Sequence, residues 1–314
     1  AMMRYFLLPL LSILFLCAAS PSPVGTGLPC AESYGAAPEQ TPDWLRVDIE
    51  LSDLATQNRY DLLAGHLLQR GFVDGSACPA GGIYPDGSPN GCGVETAYPE
   101  MLRWQNQYDQ PILASAAASN VPPYLLKGMI AAESQFWPAG DWMKGEIGLG
   151  QMTASGADLL LSYRPNTYRQ VCAQVFGEEA CGKAYAALPD DNRAMLRGWV
   201  LGSLDVTCPS CVGGIDASKG ARAVELLAET LAASCSQSAR VIRIATGRHP
   251  ASLMSYEDFW RFTLANYHSG SGCMYQALRR SGNPTNWPVI ASGLPQGCSS
   301  GQTYIRRIEE NIAP

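Results

Sequence analysis

Apolar residues recur at helical spacing along most of this chain, and no alternating apolar run is long enough to predict a large sheet. The stretch from Glu95 to Asn120 is helical in pattern, with an interruption at Pro111. Later helices are predicted in "DDNRAMLRGWVLGSLDV", "GARAVELLAETLAAS", "YEDFWRFTLANY" and "GQTYIRRIEENI". With 46% hydrophobic and 16% charged residues, the composition is that of a folded chain. The sequence therefore predicts a mainly helical protein.

One predicted helix carries a carboxylate on its apolar face. In "PPYLLKGMIAAESQFWP", residues 122–138, Pro122 and Pro123 suit a first turn, and Asn120 is a candidate cap before them. Glu133 falls on the same helical stripe as three apolar residues, Leu126, Met129 and Ile130. A carboxylate held among apolar neighbours has a raised pKa and can release a proton near neutral pH. We therefore expect Glu133 to act as a general acid.

The charge balance argues against a nucleic-acid partner. The formal net charge is −6, and no dense run of Lys and Arg is present. Proteins that bind DNA or RNA carry a basic patch or stripe. We expect neither DNA nor RNA as a ligand.

The N-terminus resembles a secretory signal. One arginine precedes an apolar run from Tyr5 to Cys17, and small residues follow it, so residues 1–20 are predicted to be removed on export. The run is 13 residues long, too short to span a bilayer comfortably, so no stable membrane span is expected. Lipid attachment at Cys17 is the weaker reading because Leu16 is bulky. We expect an extracytoplasmic protein, secreted or in the cell envelope.

Cysteine usage fits that compartment. The chain has eleven cysteines, and removal of the signal leaves ten, an even number that indicates disulfides. Spacing suggests Cys78 with Cys92 and Cys172 with Cys181, without fixing the connectivity. Closing the 15-residue loop from Cys78 to Cys92 would stabilise the fold by about 3 kcal/mol. For Cys208-Pro-Ser-Cys211 a structural disulfide is favoured over a metal or redox site, because a second close cysteine pair at zinc spacing is missing.

Composition divides the chain into predicted parts. Residues 21–43 are rich in Pro, Gly, Ser and Ala and read as a flexible linker, and residues 44–97 read as an N-terminal appendage with a Cys-bracketed loop. The remainder, 98–314, is the predicted catalytic domain.

Three motifs in fixed order resemble a known family. "AAESQFWP" contains a Glu-Ser pair, "GEIGLGQMT" contains Gly-Leu-x-Gln, and "LANYHSG" has the form Ala-x-Tyr-Asn-x-Gly with one change. Together they resemble the signature motifs of the soluble, lysozyme-like lytic transglycosylases, relatives of goose-type lysozymes. Gly148 lies 15 residues after Glu133, and Lys144 and Gly145 fall where a Lys-Gly pair is common in that family. The resemblance covers roughly residues 98–314.

The resemblance implies a mainly helical, α+β lysozyme-like fold and a role for each matching residue. Glu133 would be the sole catalytic acid and base. Ser134 would contact the carboxylate or the sugar N-acetyl group, Gln151 would hydrogen-bond substrate, and Tyr267 would direct its hydroxyl toward Glu133. His268 would line the cleft.

The implied reaction is cleavage of the β-1,4 bond between MurNAc and GlcNAc in peptidoglycan glycan strands, with a 1,6-anhydro-MurNAc product. Ordinary glycosidases need two acids, but here the muramic acid's own C6 hydroxyl attacks C1, so one carboxylate suffices. No metal or cofactor is implied, and we expect a monomer. Trp137 and Trp142 lie near the acid in sequence, where aromatic faces would suit sugar stacking.

Two features depart from the family pattern. His268 stands where the pattern has asparagine, and an imidazole offers a different donor geometry. The interval from Gln151 to Tyr267 is also longer than the family core needs and contains five cysteines. We hypothesise a disulfide-rich insertion at about 164–218 that flanks the cleft and shapes substrate choice.

Two other functions stay open at this point. A lysozyme-like hydrolase, a muramidase or chitinase, would use the same fold with Asp141 or Glu146 assisting a water molecule, and would leave a reducing end. A non-catalytic cell-wall binding module would bind glycan without turnover, and its binding would survive Glu133→Ala.

Overall fold

The computed structural model describes residues 30–36, 38, 41–282 and 284–312, so the predicted signal at 1–20 lies outside the described residues. The described chain is mainly helical, as predicted. Its α-helices are α1 (Ala31–Tyr34), α2 (Asp61–Gln69), α3 (Gly91–Asn106), α4 (Asp109–Ser119), α5 (Pro123–Ser134), α6 (Ala154–Tyr163), α7 (Pro165–Phe176), α8 (Asp190–Leu204), α9 (Gly220–Thr246), α10 (Tyr256–Ser269), α11 (Ser271–Arg280), α12 (Trp287–Ser292) and α13 (Ser300–Ile312).

The sheet part of an α+β fold is missing from the described residues. They form no β-strand, only isolated bridges at Ile83 with Pro89, Asp141 with Glu146, Ile147 with Met152, and Thr207 with Ile215. The segments concerned are short and turn-rich, so each pairs over a single bridge. The mainly helical class is therefore observed without the small sheet.

The helix that carries Glu133 starts differently from the prediction. Pro123 occupies the first turn of α5, as expected, but the residue before the helix is Pro122 and no side chain caps it. Asn120 instead ends α4, in the left-handed conformation at φ 52°, with its N–H bonded to the Ala116 carbonyl. Asparagine tolerates this conformation better than most residues. The expected role of Asn120 as an N-terminal cap was wrong.

The break in the helical stretch before α5 also lies elsewhere. The chain leaves the helix between α3 and α4, at Gln107 and Tyr108, rather than at Pro111. Pro111 is the third residue of α4, in the first turn, where an N–H has no intrahelical partner to lose.

One hydrophobic core runs through the described chain, from Tyr34 to Ile308. Helix α1 belongs to it: Cys30 forms a disulfide with Cys235 of α9, and the Tyr34 hydroxyl donates to the Met254 carbonyl at 2.9 Å. The segment 30–36 is therefore anchored, which corrects the prediction of a linker over that part of 21–43. The predicted boundary between residues 97 and 98 falls inside α3, and residues on both sides share the core.

Five disulfides are present among the described residues. They include the two pairs suggested from spacing, Cys78–Cys92 and Cys172–Cys181, and a third short-range bond, Cys208–Cys211, in line with the structural role favoured for that motif. The two that join distant parts of the sequence are Cys30–Cys235 and Cys273–Cys298. The disulfide framework predicted from cysteine number is confirmed, and Cys208 and Cys211 are joined to each other.

The long helix α9 runs for 27 residues through the middle of the core and ends at Gly247, whose φ of 72° suits glycine. Its partly buried Glu229 accepts two hydrogen bonds from Arg164, at 2.6 and 2.9 Å, and one each from Ser119 and Thr167, both at 2.9 Å. Bidentate Arg–carboxylate pairs are strong and geometrically specific. This cluster fixes α4 and α7 against α9.

Candidate active site

A cavity of about 500 Å³ lies between the end of α5, the turns at 141–152, and helices α6, α9 and α10. It brings Glu133, Gln151, Tyr267 and His268 together, as the motif order predicted. Other residues in its lining are Glu146, Met152, Thr153, Ser155, Gly156, Leu159, Thr230, Gln237, Asn266, Ser269, Gly270 and Ser271. No lysine or arginine is among these described residues, so the charged groups of the lining are carboxylates.

Glu133 sits in the last turn of α5, where the apolar stripe of that helix carries it toward the core. It is partly buried, with its remaining exposure toward the cavity. Burial raises the pKa of Glu133 to about 7, the Tyr304 hydroxyl lowers it, and the charge of Glu146 raises it. A carboxyl group with this pKa exists in both protonation states near neutral pH, which is what a group that first gives and then takes a proton requires.

The turn after Glu133 is unusual. Two consecutive residues without glycine's freedom, Gln135 and Phe136, have positive φ angles of 48° and 65°. The Gln135 side chain accepts a hydrogen bond from the Leu62 N–H at 2.8 Å, and Phe136 is fully buried. Packing and hydrogen bonding thus hold a conformation that costs backbone energy. The end of α5, and with it Glu133, is firmly positioned.

Tyr304 of α13 was not foreseen from the sequence. Its ring is buried, and its hydroxyl is close enough to Glu133 to lower the pKa of that carboxyl, although it makes no hydrogen bond of ordinary length and angle with a described residue. Hydrogen bonds at catalytic carboxylates are often long before substrate binds. The one available signal was the apolar stripe of "GQTYIRRIEENI", on which Tyr304 lies.

Tyr267 and His268 both pack beside Tyr304. The Tyr267 ring lies parallel to that of Tyr304 at 6.4 Å, and the His268 ring is stacked on it at 4.5 Å. The Tyr267 hydroxyl, expected to point toward Glu133, donates instead to the Gly150 carbonyl at 2.8 Å. Burial and the charge of Glu133 raise the pKa of Tyr267 well above its usual value, so it stays a neutral donor. Tyr267 therefore holds the turn that carries the second motif.

His268 lies at the exposed rim of the cavity. Its Nε2 is 3.3 Å from the Ser300 hydroxyl, and burial against its neighbours lowers its pKa, with Arg307 also lowering it and Glu146 raising it. The lowered pKa favours the neutral imidazole at pH 7. The expected place of His268 in the cleft lining agrees with the structure.

Two successive tight turns precede and contain the Gly-Leu-x-Gln motif, which lies in the second. Asp141 and Glu146 exchange backbone hydrogen bonds of 2.7 and 3.1 Å, and Ile147 and Met152 exchange bonds of 3.0 and 2.8 Å. Gly150 lies so close to α9 that a Cβ would come within 2.6 Å of a Leu227 methyl carbon. Gly150 occupies the variable position of the motif, and the motif's own glycine, Gly148, has a positive φ of 74°, a conformation that suits glycine.

Gln151 follows with a positive φ of 47°, and its side-chain amide donates to the Gly148 carbonyl at 2.7 Å. This bond orients the side chain at the cavity wall. Its carbonyl oxygen remains available to a ligand.

Ser134 does not reach the cavity. It is buried, and its hydroxyl donates to the Ile130 carbonyl one turn earlier in α5 at 3.1 Å. Serine near a helix end commonly bonds in this way. The expected contact of Ser134 with substrate or carboxylate is absent in this arrangement.

A second carboxylate shares the cavity. Glu146 lines it, whereas Asp141 lies outside the lining and accepts hydrogen bonds from the backbone N–H groups of Met143 and Lys144. Of the two acids considered as helpers of a water molecule, the structure brings only Glu146 beside Glu133.

The remaining sequence candidates lie away from the chemistry. Trp137 is buried in an aromatic cluster with Trp104 and His66, and Trp142 is exposed but outside the cavity lining. No residue of the stretch 164–218, the hypothesised insertion, lines the cavity. Helices α7 and α8 of this stretch pack against α6, which does line it.

A larger cavity, of about 800 Å³, lies at the other end of α5, and Trp44, Tyr124 and Lys127 are part of its wall. Lys127 is buried and fully bonded, to Asp109 at 2.6 Å, to Asn106 at 2.9 Å and to the Leu54 carbonyl. The buried charge of Lys127 in the larger cavity is paired, whereas a carboxyl group with a pKa of about 7 opens onto the smaller one. The smaller cavity is therefore the better candidate for catalysis.

No protein-family profile, curated protein or solved structure matches this chain. Within the described ranges, no three His, Cys, Asp or Glu side chains are grouped so that they could hold a metal ion. Over the same ranges no helix is both long and apolar enough to cross a membrane.

Proposed function

We propose that this protein is an exported peptidoglycan lytic transglycosylase in which Glu133 is the single general acid and base. The observation that carries the proposal is the pKa of about 7 of a carboxyl group that opens onto a cavity. The ordered motifs of the lysozyme-like lytic transglycosylases supply the reaction class. The cavity volume suits a short stretch of glycan.

In the first step, Glu133 donates its proton to the oxygen that links MurNAc to GlcNAc, and the bond from C1 to that oxygen breaks. In the second, the C6 hydroxyl of the same MurNAc attacks C1, and the Glu133 carboxylate accepts the hydroxyl proton. Glu133 ends protonated, ready for another turnover, and the sugar ends as 1,6-anhydro-MurNAc. Tyr304 stabilises the charged carboxylate between the two steps.

The test is mass spectrometry of the soluble products released from purified peptidoglycan by the mature protein and, in parallel, by Glu133→Gln. Anhydro-muropeptides from the parent alone support the proposal. If the parent releases no products but binds glycan, and Glu133→Ala binds equally well, the chain is a cell-wall binding module.

One observation favours a second candidate, a hydrolase of the muramidase or chitinase type. Glu146 shares the cavity, so a second carboxylate is present to activate water. Reaction in ¹⁸O-labelled water separates the two chemistries, because hydrolysis places the label at the new reducing end and transglycosylation incorporates none. Product from the parent that carries the label, together with its loss in Glu146→Gln, would replace the transglycosylase with the hydrolase.

A further inference from the structure

An amide pair in the cavity wall is unused by the proposed chemistry. Asn266 of α10 is only 2% exposed and lines the cavity. Its Nδ2 donates to the Gln237 Oε1 of α9 at 2.9 Å. With the amide held in that orientation, its Oδ1 is buried and has no hydrogen-bond partner among the described residues.

A buried carbonyl without a donor is unfavourable, and native proteins rarely leave one without a reason. Here the reason is close by, since the atom belongs to a residue of the cavity wall. Gln237 lines the same wall, and its Nε2 makes no hydrogen bond to a described residue. The pair therefore presents one free acceptor and one free donor, fixed relative to each other by the bond between the two amides.

We propose that Asn266 and Gln237 bind the acetamido group of a 2-acetamido sugar, an inference that rests on the proposed function. The Asn266 Oδ1 accepts the acetamide N–H, and the Gln237 Nε2 donates to the acetamide carbonyl. This makes Asn266 and Gln237 specificity-determining residues rather than catalytic ones.

The charges around the cavity restrict the alternatives. With Glu133 and Glu146 as the charged groups of its lining, an anionic group is disfavoured there. An ammonium group, as on a de-N-acetylated sugar, would satisfy the Asn266 oxygen, but its N–H groups would then meet the Gln237 N–H donors. A group that both donates and accepts satisfies both amides, as an acetamide does.

The experiment is calorimetric binding of a tetramer of N-acetylglucosamine and of its de-N-acetylated counterpart, in a Glu133→Gln background that prevents turnover. Asn266→Leu and Gln237→Met are compared with that background. Ser162→Ala, at an exposed position of α6 outside the cavity lining, is the control. Unfolding midpoints are recorded for each variant, and the partly exposed Gln237 position provides a test even if Asn266→Leu fails to fold.

We expect the background protein to bind the N-acetylated tetramer at least about tenfold more tightly than the other. Each amide variant should lose about tenfold in affinity for the N-acetylated tetramer alone, since a good hydrogen bond contributes a factor of this order. Ser162→Ala should bind both tetramers as the background does. Equal affinity for the two tetramers, no binding of either, or full N-acetylated affinity in Gln237→Met would each overturn the inference.

The product assay keeps this failure separate from failure of the proposed function. Anhydro-muropeptides from the parent, combined with unchanged binding in Gln237→Met, would refute the amide pair and leave the transglycosylase standing. Selective binding that depends on both amides, without anhydro products, would support the acetamide site and refute the transglycosylase.

Discussion

The buried Tyr304 hydroxyl acts on the Glu133 carboxylate and lowers its pKa, in opposition to the burial that raises it. The two residues come from α13 and α5, which pack against each other. The pKa of Glu133 is therefore set by two opposing effects, burial, which raises it, and a donor on the last helix, which lowers it.

Removal of the Tyr304 hydroxyl should change the pKa of Glu133. We expect Tyr304→Phe to raise the pKa of Glu133 above about 7, so that the alkaline limb of the kcat/KM profile moves to higher pH. The variant also lacks the hydroxyl that we expect to hydrogen-bond the carboxylate once substrate is bound. Such a bond to a charged group is worth about 1.5 to 3 kcal/mol, so kcat should fall by about tenfold or more. Rates of peptidoglycan cleavage across pH 5 to 9 provide the measurement.

Tyr267→Phe is the matched control, because the Tyr267 hydroxyl bonds to Gly150 and not to the carboxylate. It should leave the alkaline limb where it is in the parent. An equal displacement in both variants would show that loss of any tyrosine hydroxyl, rather than the Tyr304 contact, is responsible.

Glu133 also makes stability depend on pH. Its folded-state pKa of about 7 lies above its usual value of 4.5, so the stability it contributes is fully present below pH 4.5 and is lost as pH rises through 7. Glu133→Gln does not titrate. The free energy of unfolding of Glu133→Gln minus that of the parent should therefore be larger at pH 8 than at pH 4.5, by up to about 3 kcal/mol. Urea unfolding at both pH values measures this gain, and a difference that stays constant with pH would contradict it.

Glu146 can act on Glu133 through its charge alone or take part directly as a second catalytic acid, and one substitution distinguishes these two roles. Because its charge raises the pKa of Glu133, Glu146→Gln should move the alkaline limb to lower pH, by less than about one pH unit for charges near solvent. The product should stay anhydro-muropeptide. Asp141→Asn, outside the cavity, should cause no such displacement, and loss of all turnover in Glu146→Gln would favour the hydrolase.

The buried pair of Lys127 and Asp109 should be a major determinant of stability. Burial lowers the pKa of Lys127 and raises that of Asp109, and each is held charged by the other. Lys127→Met leaves Asp109 buried without a partner, at a cost of about 3 to 5 kcal/mol in the free energy of unfolding. Lys144→Met, which breaks the exposed 3.4 Å pair with Asp141, should change it by no more than about 0.5 kcal/mol. Similar values for the two variants in denaturant unfolding would refute this assignment.

The contribution of each disulfide to the free energy of unfolding should depend on the length of the loop that it closes. Cys30 and Cys235 are 205 residues apart, so their replacement by serine should cost up to about 5 kcal/mol in the chain-entropy picture. The replacement of Cys208 and Cys211, which are 3 apart, should cost about 2 kcal/mol or less. Thermal unfolding of the two double variants gives the comparison, and the reverse order would show that local strain outweighs loop closure.

Local patterns predicted much of this fold because helices are set by neighbours three and four residues apart. Helices α8, α10 and α13 lie where the apolar spacing indicated, and the disulfides Cys78–Cys92 and Cys172–Cys181 join the cysteines that spacing suggested. Errors arose where one residue suits two roles: Asn120 fits the end of one helix as well as the start of another, and Pro111 fits a first turn as well as a break.

The candidate site also contains residues that the sequence predicted and residues that it did not. Glu133, Gln151, Tyr267 and His268 meet in one cavity, in line with their motifs. Tyr304 and the Asn266–Gln237 pair depend on how α9, α10 and α13 pack, and no local pattern encodes that packing. Residues 30–36 look like linker in composition, but the disulfide from Cys30 to α9 overrides composition.

Helix α9 connects these observations, since Thr230 and Gln237 of the cavity wall, the Glu229 cluster and Cys235 all lie on it. Because most of α9 is buried, we expect its amides to belong to the unit best protected from hydrogen exchange, which opens only when the core itself opens. Sites built on mobile loops melt well before the rest of a protein. Here the wall that would recognise substrate should persist until global unfolding, so loss of ligand binding on heating would report the unfolding of the whole fold.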